Sequence, residues 1–152
     1  MVEKLRKAAP DISITTDIIV GFPGETEELF EETFKYAKKI EFSKIHIFPY
    51  SKRKGTLAAK MPNQVPYKIK KERCRRLSVL EKEMRKSFYK NNIGSVSEIL
   101  VESRNKDNSF SGFTSNYIKT RVKNEKPFKI NTLTNVKLVK ISKSTLEMLG
   151  SA

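Results

Sequence analysis

The feature that most limits the fold of this chain is one strand–turn–helix junction near its start, in the stretch DIIVGFPGETEELFEE. Residues 12–20 alternate at first and then become fully apolar, which is typical of a buried strand in a parallel sheet. The turn Gly21–Gly24 follows, and Thr26 is suited to cap a helix whose first turns are rich in glutamate. Residues 44–50 form a second predicted strand. The pattern indicates one βαβ unit with a right-handed crossover.

No further alternation of strand and helix patterns follows this unit. Two parallel strands can neither close a (β/α) barrel nor build a doubly wound sheet. We therefore expect residues 1–60 to be an incomplete βαβ tail, the C-terminal portion of a larger α/β fold whose earlier strands lie before Met1. An incomplete sheet leaves an open edge strand, which predicts dimerisation through that edge or poor solubility.

The remainder of the chain changes from helical to β-rich patterns. Residues 61–92 are predicted to be a long basic connecting helix, beginning at Tyr67, just after Pro66, and ending at about Asn91. Residues 93–152 contain alternating, β-branched segments separated by Asn, Asp, Gly and Pro, typical of about four or five short strands. A small closed, OB-like five-stranded barrel would remove their edges. The predicted fold class is therefore α/β plus all-β.

The positive charge of the chain is concentrated in its second half. The net charge is +14, yet residues 1–51 hold 7 basic and 9 acidic residues, whereas residues 52–92 hold 14 basic and 3 acidic ones. Such a split predicts a polyanionic partner bound by the second half, most often a nucleic acid. The alternative is a solvated charged helix beside a basic but inert domain.

The sequence gives no sign of membrane insertion or secretion. It holds no run of 18 apolar residues and no apolar stretch near its start that would suit a signal peptide. We therefore expect a cytoplasmic protein without a membrane partner.

The usual catalytic residue types do not form a recognisable motif. His46 lies on a predicted strand without a companion Asp, Ser or Cys at a known spacing, and a packed role is expected for it. Cys74 is the only cysteine, which excludes a multi-cysteine metal site within this chain. We expect neither a catalytic residue nor a metal site here.

The Gly21–Glu25 loop differs from a phosphate-binding loop. No Lys-Ser or Lys-Thr follows its second glycine, Pro23 has no N–H to donate, and five glutamates between Glu25 and Glu32 would repel an anion. A ligand with an amine or hydroxyl groups would suit Glu25 better, because an ionised carboxylate only accepts hydrogen bonds. The alternative is a tight turn with acidic helix capping.

Two segments carry side chains suited to RNA. One follows the C-terminal end of the second strand, the functional edge of parallel α/β folds: Lys52, Arg53 and Lys54. The other mixes aromatic and basic side chains in the barrel region: Phe113, Tyr117, Lys119 and Arg121. Such a mixture suits base stacking and phosphate neutralisation. The alternatives are a solvated basic loop and a Phe113 that fills the small core.

Three segments together resemble the methylthiotransferase branch of the radical S-adenosylmethionine enzymes: TTDIIVGFPGET, FPYSKRKGTLAAKM and GFTSNYIKTRV. The resemblance implies that residues 1–60 are the last strands of the partial (β/α) barrel that holds the cofactor. It also implies that residues 93–150 are the family's C-terminal TRAM barrel, which engages RNA. The third segment is most similar to members that act on threonylcarbamoyladenosine beside the tRNA anticodon. Enzymes for isopentenyladenosine or for a protein of the small ribosomal subunit look less alike there.

The resemblance also implies cofactors, a partner and site residues. The family uses S-adenosylmethionine and 4Fe–4S clusters to place a methylthio group on carbon 2 of the modified adenine, with tRNA as the partner. The cluster cysteines, including the C-x-x-x-C-x-x-C motif, are not in this chain, so we expect no turnover by the chain alone. Residues on the cofactor side are Gly21, Phe22, Gly24, Glu25 and Arg53. Residues on the RNA side are Lys52, Arg53, Lys54, Phe113, Asn116, Tyr117, Lys119 and Arg121.

Two other interpretations remain open from the residues alone. The chain could be a standalone RNA-binding module whose α/β piece is only scaffold. It could also be a fragment of a metabolic α/β enzyme for a nucleotide or phosphorylated substrate, but that reading leaves the basic segment of residues 52–92 unexplained.

Overall fold

The computed structural model describes residues 1–123 and 128–151. The helices are α1 (Val2–Ala8), α2 (Glu27–Ile40) and α3 (Tyr67–Asn91), with a 3-10 turn at Ala58–Lys60. The strands are β1 (Thr15–Val20), β2 (Lys44–Pro49), β3 (Val96–Arg104), β4 (Phe110–Thr114), β5 (Lys119–Lys123), β6 (Thr132–Ile141) and β7 (Met148–Ser151).

The chain divides into two compact units. Residues 14–85 form the α/β unit, and residues 1–13 together with 86–152 form the barrel unit. The domain limits expected from the sequence, at residues 60 and 92, remain a prediction.

The α/β unit contains the predicted βαβ arrangement. Strands β1 and β2 pair in parallel, from Thr15 opposite Lys44 to Val20 opposite Pro49. One face of this two-stranded sheet packs against both helices of the unit, α2 and the first part of α3. The buried side chains of this core are Val20, Phe30, Ala37, Ile45, Leu77, Leu80 and Met84. The other face leaves Ile19 and Phe48 exposed, although the apolar strand patterns predict cover on both faces.

Helix α2 begins where the sequence predicts, directly after Thr26. The Thr26 hydroxyl accepts a hydrogen bond from the backbone N–H of Leu29 (3.3 Å) and so caps the first turn. Acidic residues occupy this first turn and basic residues the last, which complements the helix dipole. Glu41 ends the helix in the left-handed conformation.

The barrel unit confirms the predicted small barrel of five strands. They close in the order β3-β4-β5-β7-β6, and the pairing of β5 with β7 is parallel whereas the other pairs are antiparallel. The segment from 109 to 122 supplies two strands and a turn, and β7 comes from the last residues of the chain. The buried core contains Tyr89, Ile99, Val101, Phe110, Ile118, Val122, Val136, Leu138 and Met148.

Within residues 1–123 and 128–151, no helix has both the length and the apolar character that crossing a lipid bilayer requires.

The close pairing of β3 with β4 depends on Gly112. A Cβ atom at this position would lie 2.0 Å from the backbone oxygen of Leu100 and 2.8 Å from its carbonyl carbon. Backbone atoms of a paired strand cannot move aside without separating the strands. We therefore expect Gly112→Ala to lower the free energy of unfolding by about 1–3 kcal/mol or more, measured by urea denaturation followed by circular dichroism.

Gly150→Ala is the matched control, because its nearest contacts would be 3.3 Å and two of the three are methyl groups of side chains. We expect a loss below about 1 kcal/mol for this variant. Equal losses for the two variants would contradict the role assigned to Gly112.

Candidate cofactor loop and nucleic-acid interface

The turn after β1 is fixed by its two glycines and by hydrogen bonds at both ends. Gly21 and Gly24 have φ angles of +73° and +85°, the left-handed region that favours glycine. The Gly21 N–H donates to Oε1 of Glu25 (2.9 Å), and the Gly24 N–H donates to the backbone oxygen of Asn63 (3.0 Å). A Cβ atom at Gly21 would lie 2.1 Å from Cγ of Lys70, so a larger residue would displace that side chain.

A buried arginine of α3, Arg73, holds this turn and the start of α2. Its Nη1 donates to Oε1 of Glu25 (2.6 Å) and to the Glu25 backbone oxygen (3.1 Å). Its Nη2 donates to Oε2 of Glu27 (3.1 Å), and its guanidinium lies 5.2 Å from the centre of the Phe30 ring. Arg73 is only 4% exposed. Oε1 of Glu25, predicted to face a ligand, is therefore already engaged inside the protein.

Arg76 extends this ion-pair network along α2. Its Nη1 donates to Oε1 of Glu27 (2.8 Å), and its Nη2 pairs with Oε1 of Glu31. Sequence reasoning missed both arginines, because they lie 45 to 49 residues from their partners. The sequence signal that could have predicted these ion pairs is the presence of many glutamates at the start of one helix and many arginines on another.

We expect Arg73→Ala to destabilise the α/β unit by about 3 kcal/mol, because it leaves the largely buried Glu25 carboxylate without its cation. Arg75→Ala is the control, since Arg75 forms only an exposed pair with Glu72 and should cost less than about 1 kcal/mol. Urea denaturation of the two variants measures the difference. Similar losses would show that the buried network does not stabilise the unit.

The C-terminal end of β2 lies next to the glycine turn. The Tyr50 ring meets the exposed Phe22 ring edge-on, with centroids 5.3 Å apart. Nζ of Lys70 donates to the Tyr50 backbone oxygen (2.9 Å). Lys52, Arg53 and Lys54, which follow Ser51 in the chain, are exposed. The structure thus brings Phe22 to the functional edge of the sheet, and Arg53 follows that edge in the chain.

On the barrel, Phe113 and Tyr117 form an aromatic pair outside the core. Phe113 is opposite Leu100 and Lys119, whereas its neighbours Gly112 and Thr114 are buried. The Phe113 ring is half-buried on the outer side, so the alternative that it fills the core is wrong. Tyr117 is 74% exposed, has a φ of +62°, and its ring centroid is 6.1 Å from that of Phe113.

Asn116 uses its amide inside the barrel unit. Its Oδ1 accepts from the Thr114 hydroxyl (2.6 Å), and its Nδ2 donates to Oδ1 of Asn92 (3.0 Å) and to the backbone oxygen of Asp11 (3.1 Å). These bonds fix the turn that carries Tyr117. Contact of Asn116 with RNA remains a prediction.

The cations of β5 have acidic partners. Lys119 Nζ lies 2.8 Å from Oε1 of Glu147, and Arg121 Nη2 lies 3.2 Å from Oε2 of the same carboxylate. Arg121 and Lys123 also lie 3.9 Å and 3.8 Å from Oδ2 of Asp107. The two carboxylates therefore neutralise much of the positive charge expected on this strand.

Glu147 is 5% exposed and charged because of these partners. Burial by itself would raise its pKa, but hydrogen bonds from Lys119 and Thr145 and the charges of Lys119 and Arg121 outweigh burial. The pKa of Glu147 therefore lies below its ordinary value of 4.5. Since the folded pKa is depressed, this carboxylate stabilises the barrel above the ordinary value and loses its effect as the pH falls through the folded pKa.

We expect the free energy of unfolding to fall as the pH drops below about 5, and Glu147→Gln to reduce that dependence. The same variant should be less stable than the parent at pH 7, because Lys119 and Arg121 lose their partner. Urea denaturation at a series of pH values measures both effects. An unchanged pH dependence in Glu147→Gln would exclude Glu147 as its source.

His46 and Cys74 are the remaining residues of catalytic type that the sequence analysis considered. His46 is exposed and lies opposite Asp17 across the β1–β2 pair. The prediction that it is packed is therefore wrong. Burial, and then the charge of Glu25, raises the pKa of the Cys74 thiol, which makes it a poor nucleophile and metal ligand. Within the part of the chain that the structure describes, no three His, Cys, Asp or Glu side chains form a metal-binding group. These residues do not fit an iron–sulfur cluster.

Comparison with known proteins shows that the chain is similar to enzymes that modify tRNA. The chain is 53% identical over 109 residues to the tRNA-2-methylthio-N(6)-dimethylallyladenosine synthase of Caldicellulosiruptor saccharolyticus, covering 72% of this chain and 23% of that enzyme. It is 43% identical over 141 residues to the threonylcarbamoyladenosine tRNA methylthiotransferase MtaB of Bacillus subtilis, covering 90% of this chain and 31% of that enzyme. The tRNA-2-methylthio-N(6)-dimethylallyladenosine synthase of B. subtilis is 42% identical over 158 residues, covering 100% of this chain and 30% of that enzyme. No family model matches the chain.

Proposed function

Since this chain belongs to the tRNA methylthiotransferase family and spans 23% to 31% of the length of the three relatives named above, we propose that it is part of such an enzyme. In this proposal it supplies contacts to tRNA and a loop that faces the cofactor. The observation that carries the proposal is the 43% identity to a tRNA methylthiotransferase over 90% of this chain. The closed five-stranded barrel with an exposed aromatic pair supports RNA contact by the C-terminal part.

For the substrate, we propose threonylcarbamoyladenosine beside the anticodon, because residues 112–122 are most similar to that branch of the family. Dimethylallyladenosine is the second candidate, favoured by the 53% identity to a synthase that its name assigns to that nucleoside. Methylthiolation by the full-length protein, measured on tRNAs that carry one or the other modification, distinguishes the two.

The cofactor proposed for the whole enzyme is S-adenosylmethionine, which supplies radical chemistry together with iron–sulfur clusters. No cluster ligands are found among the described residues, so no step of the reaction is assigned to this chain. The loop after β1 suits a cofactor that carries an aromatic base. Phe22 exposes its ring, and a Cβ atom at Gly24 would meet nothing within 4 Å. We propose Gly21, Phe22, Gly24, Glu25 and Arg53 as the residues that contact it.

On the RNA side, the proposed role of Tyr117 is to stack on an unpaired base. The turn that carries it is rigid, because the Tyr117 N–H donates to the Thr114 oxygen (2.9 Å) and the Thr114 N–H donates to the Ile118 oxygen (3.1 Å). Phe113 supports the Tyr117 ring from one side. A rigid exposed ring binds a base with little loss of conformational entropy.

We expect the chain to bind tRNA more tightly than duplex DNA, with an affinity that falls steeply as the salt concentration rises. Tyr117→Ala should weaken tRNA binding by roughly 5- to 100-fold, because stacking on one base contributes about 1–3 kcal/mol. Fluorescence anisotropy with labelled tRNA across a salt series measures both. Tyr36→Ala is the control, since Tyr36 is also well exposed (62%) but lies on α2.

Equal weak binding to tRNA and DNA would contradict a tRNA-contacting role for this chain. A standalone RNA-binding module would give the same preference for tRNA. The two interpretations are distinguished by activity, because the full-length protein would methylthiolate neither tRNA if the chain were a standalone RNA-binding module.

A further inference from the structure

The structure concentrates unneutralised positive charge in one segment of the α/β unit, between β2 and the start of α3. Residues 51–71 contain seven basic residues and no acidic one. Six of these cations have no ion-pair partner among the described residues, and we call them the connector surface: Lys52, Arg53, Lys54, Lys60, Lys68 and Lys71. The seventh, Lys70, holds the segment in place.

The connector is an ordered loop whose two ends meet. Nζ of Lys70 in the first turns of α3 donates to the backbone oxygen of Tyr50 at the end of β2 (2.9 Å). Nε2 of Gln64 donates to the backbone oxygens of Ala58 and Met61, at 2.9 Å each. The Lys70–Tyr50 bond therefore ties the end of β2, which Lys52, Arg53 and Lys54 follow, to the first turns of α3, which carry Lys68 and Lys71.

Most other cations in the candidate sites are already paired. In the α/β unit, Arg73 and Arg76 face the glutamates of α2 and its preceding turn, and Lys44 and Arg85 both face Glu81. In the barrel unit, Lys119, Arg121 and Lys123 face Glu147 and Asp107. A cation whose charge is already neutralised contributes less free energy to the binding of a polyanion, because its existing ion pair must be broken or shared.

An exposed aromatic ring lies within the same segment. Tyr67, the first residue of α3, is 72% exposed and is followed directly by Lys68. Exposed lysines beside an exposed ring suit a nucleic acid, in which phosphates alternate with stackable bases.

We propose that the connector surface is the main phosphate-binding surface of this chain for RNA, with Tyr67 as an additional stacking position. This inference rests on the proposed tRNA function and adds to it Lys60, Tyr67, Lys68 and Lys71. The cations of the connector supply affinity that depends on salt and not on base sequence. The aromatic pair of the barrel, with its partly neutralised cations, supplies the contact to an unpaired base.

Neutralising the connector cations tests the proposal. The triple variant Lys52→Gln, Arg53→Gln and Lys54→Gln should weaken tRNA binding by about tenfold or more at low salt. It should also reduce the slope of log affinity against log salt by about 2, because roughly three phosphate contacts are lost. The double variant Lys68→Gln and Lys71→Gln should give a smaller change of the same kind.

The matched control removes three exposed cations from the same unit: Lys35→Gln, Lys38→Gln and Lys39→Gln on α2. It changes the net charge equally and should alter the affinity by less than about twofold, with the slope unchanged. Tyr117→Ala, measured in parallel, should lower the affinity without changing the slope. Circular dichroism of each variant verifies that it is folded.

The outcomes separate the two proposals. Equal effects of the connector triple and the α2 triple, with Tyr117→Ala still weakening tRNA binding, would overturn the connector surface and leave the tRNA function in place. Loss of preference for tRNA over DNA in the parent chain would instead overturn the tRNA function. Binding to phosphatidylserine vesicles as tight as binding to tRNA, and lost in the connector triple, would identify an anionic membrane surface and overturn the RNA assignment.

Discussion

The architecture of the α/β unit depends on the buried guanidinium of Arg73. Two paired strands with one helix bury too little surface to be stable by themselves, so α3 must cover the sheet. A charged group enters such an interface only where acceptors replace its water. Glu25 and Glu27 provide them, and in doing so they attach the glycine turn and the start of α2 to α3. The shape of the predicted cofactor loop is thus set by a residue 48 positions later in the chain.

The ion pairs between α3 and α2 also explain why the net charge of a segment is a poor predictor of where a polyanion binds. Residues 52–92 hold 14 basic and 3 acidic residues, which predicts one long basic surface along the helix. In the structure, Arg73 and Arg76 are paired with glutamates that precede residue 52. Pairing across the fold neutralises these two arginines, whereas the six cations of the connector surface stay exposed. The net charge of residues 51–71 was countable from the sequence, but which cations of α3 are paired was not.

Local sequence signals were sufficient to predict most helices and strands. Strand pairing and side-chain partners depend on long-range contacts, and most of these could not be predicted. The cap at Thr26 and the limits of α3 follow from residues next to each other in the chain, and both were predicted. The parallel pairing of β5 with β7 was not, because it joins segments whose separation the sequence does not encode locally. Phe113 shows how sensitive such predictions are to strand register. Successive side chains of a strand lie on opposite faces, so a shift of one residue exchanges core and surface. Asn116 was assigned to RNA through the resemblance alone, and the bonds of its amide to Asp11 and Asn92 are long-range contacts that no local pattern predicts.

The acidic partners of β5 give its cations a role in closing the barrel. Thr120 pairs with Met148 in the parallel β5–β7 ladder, so Lys119 and Glu147 lie side by side where that ladder begins. Parallel pairing is slightly less stable per residue than antiparallel pairing, and here only four residue pairs hold it. Charge-assisted hydrogen bonds from two cations to one buried carboxylate strengthen this seam. If Lys119 and Arg121 left Glu147, the parallel pair would lose this support. In the proposed contact with RNA, the role of β5 is therefore to hold rigid the turn that presents Tyr117.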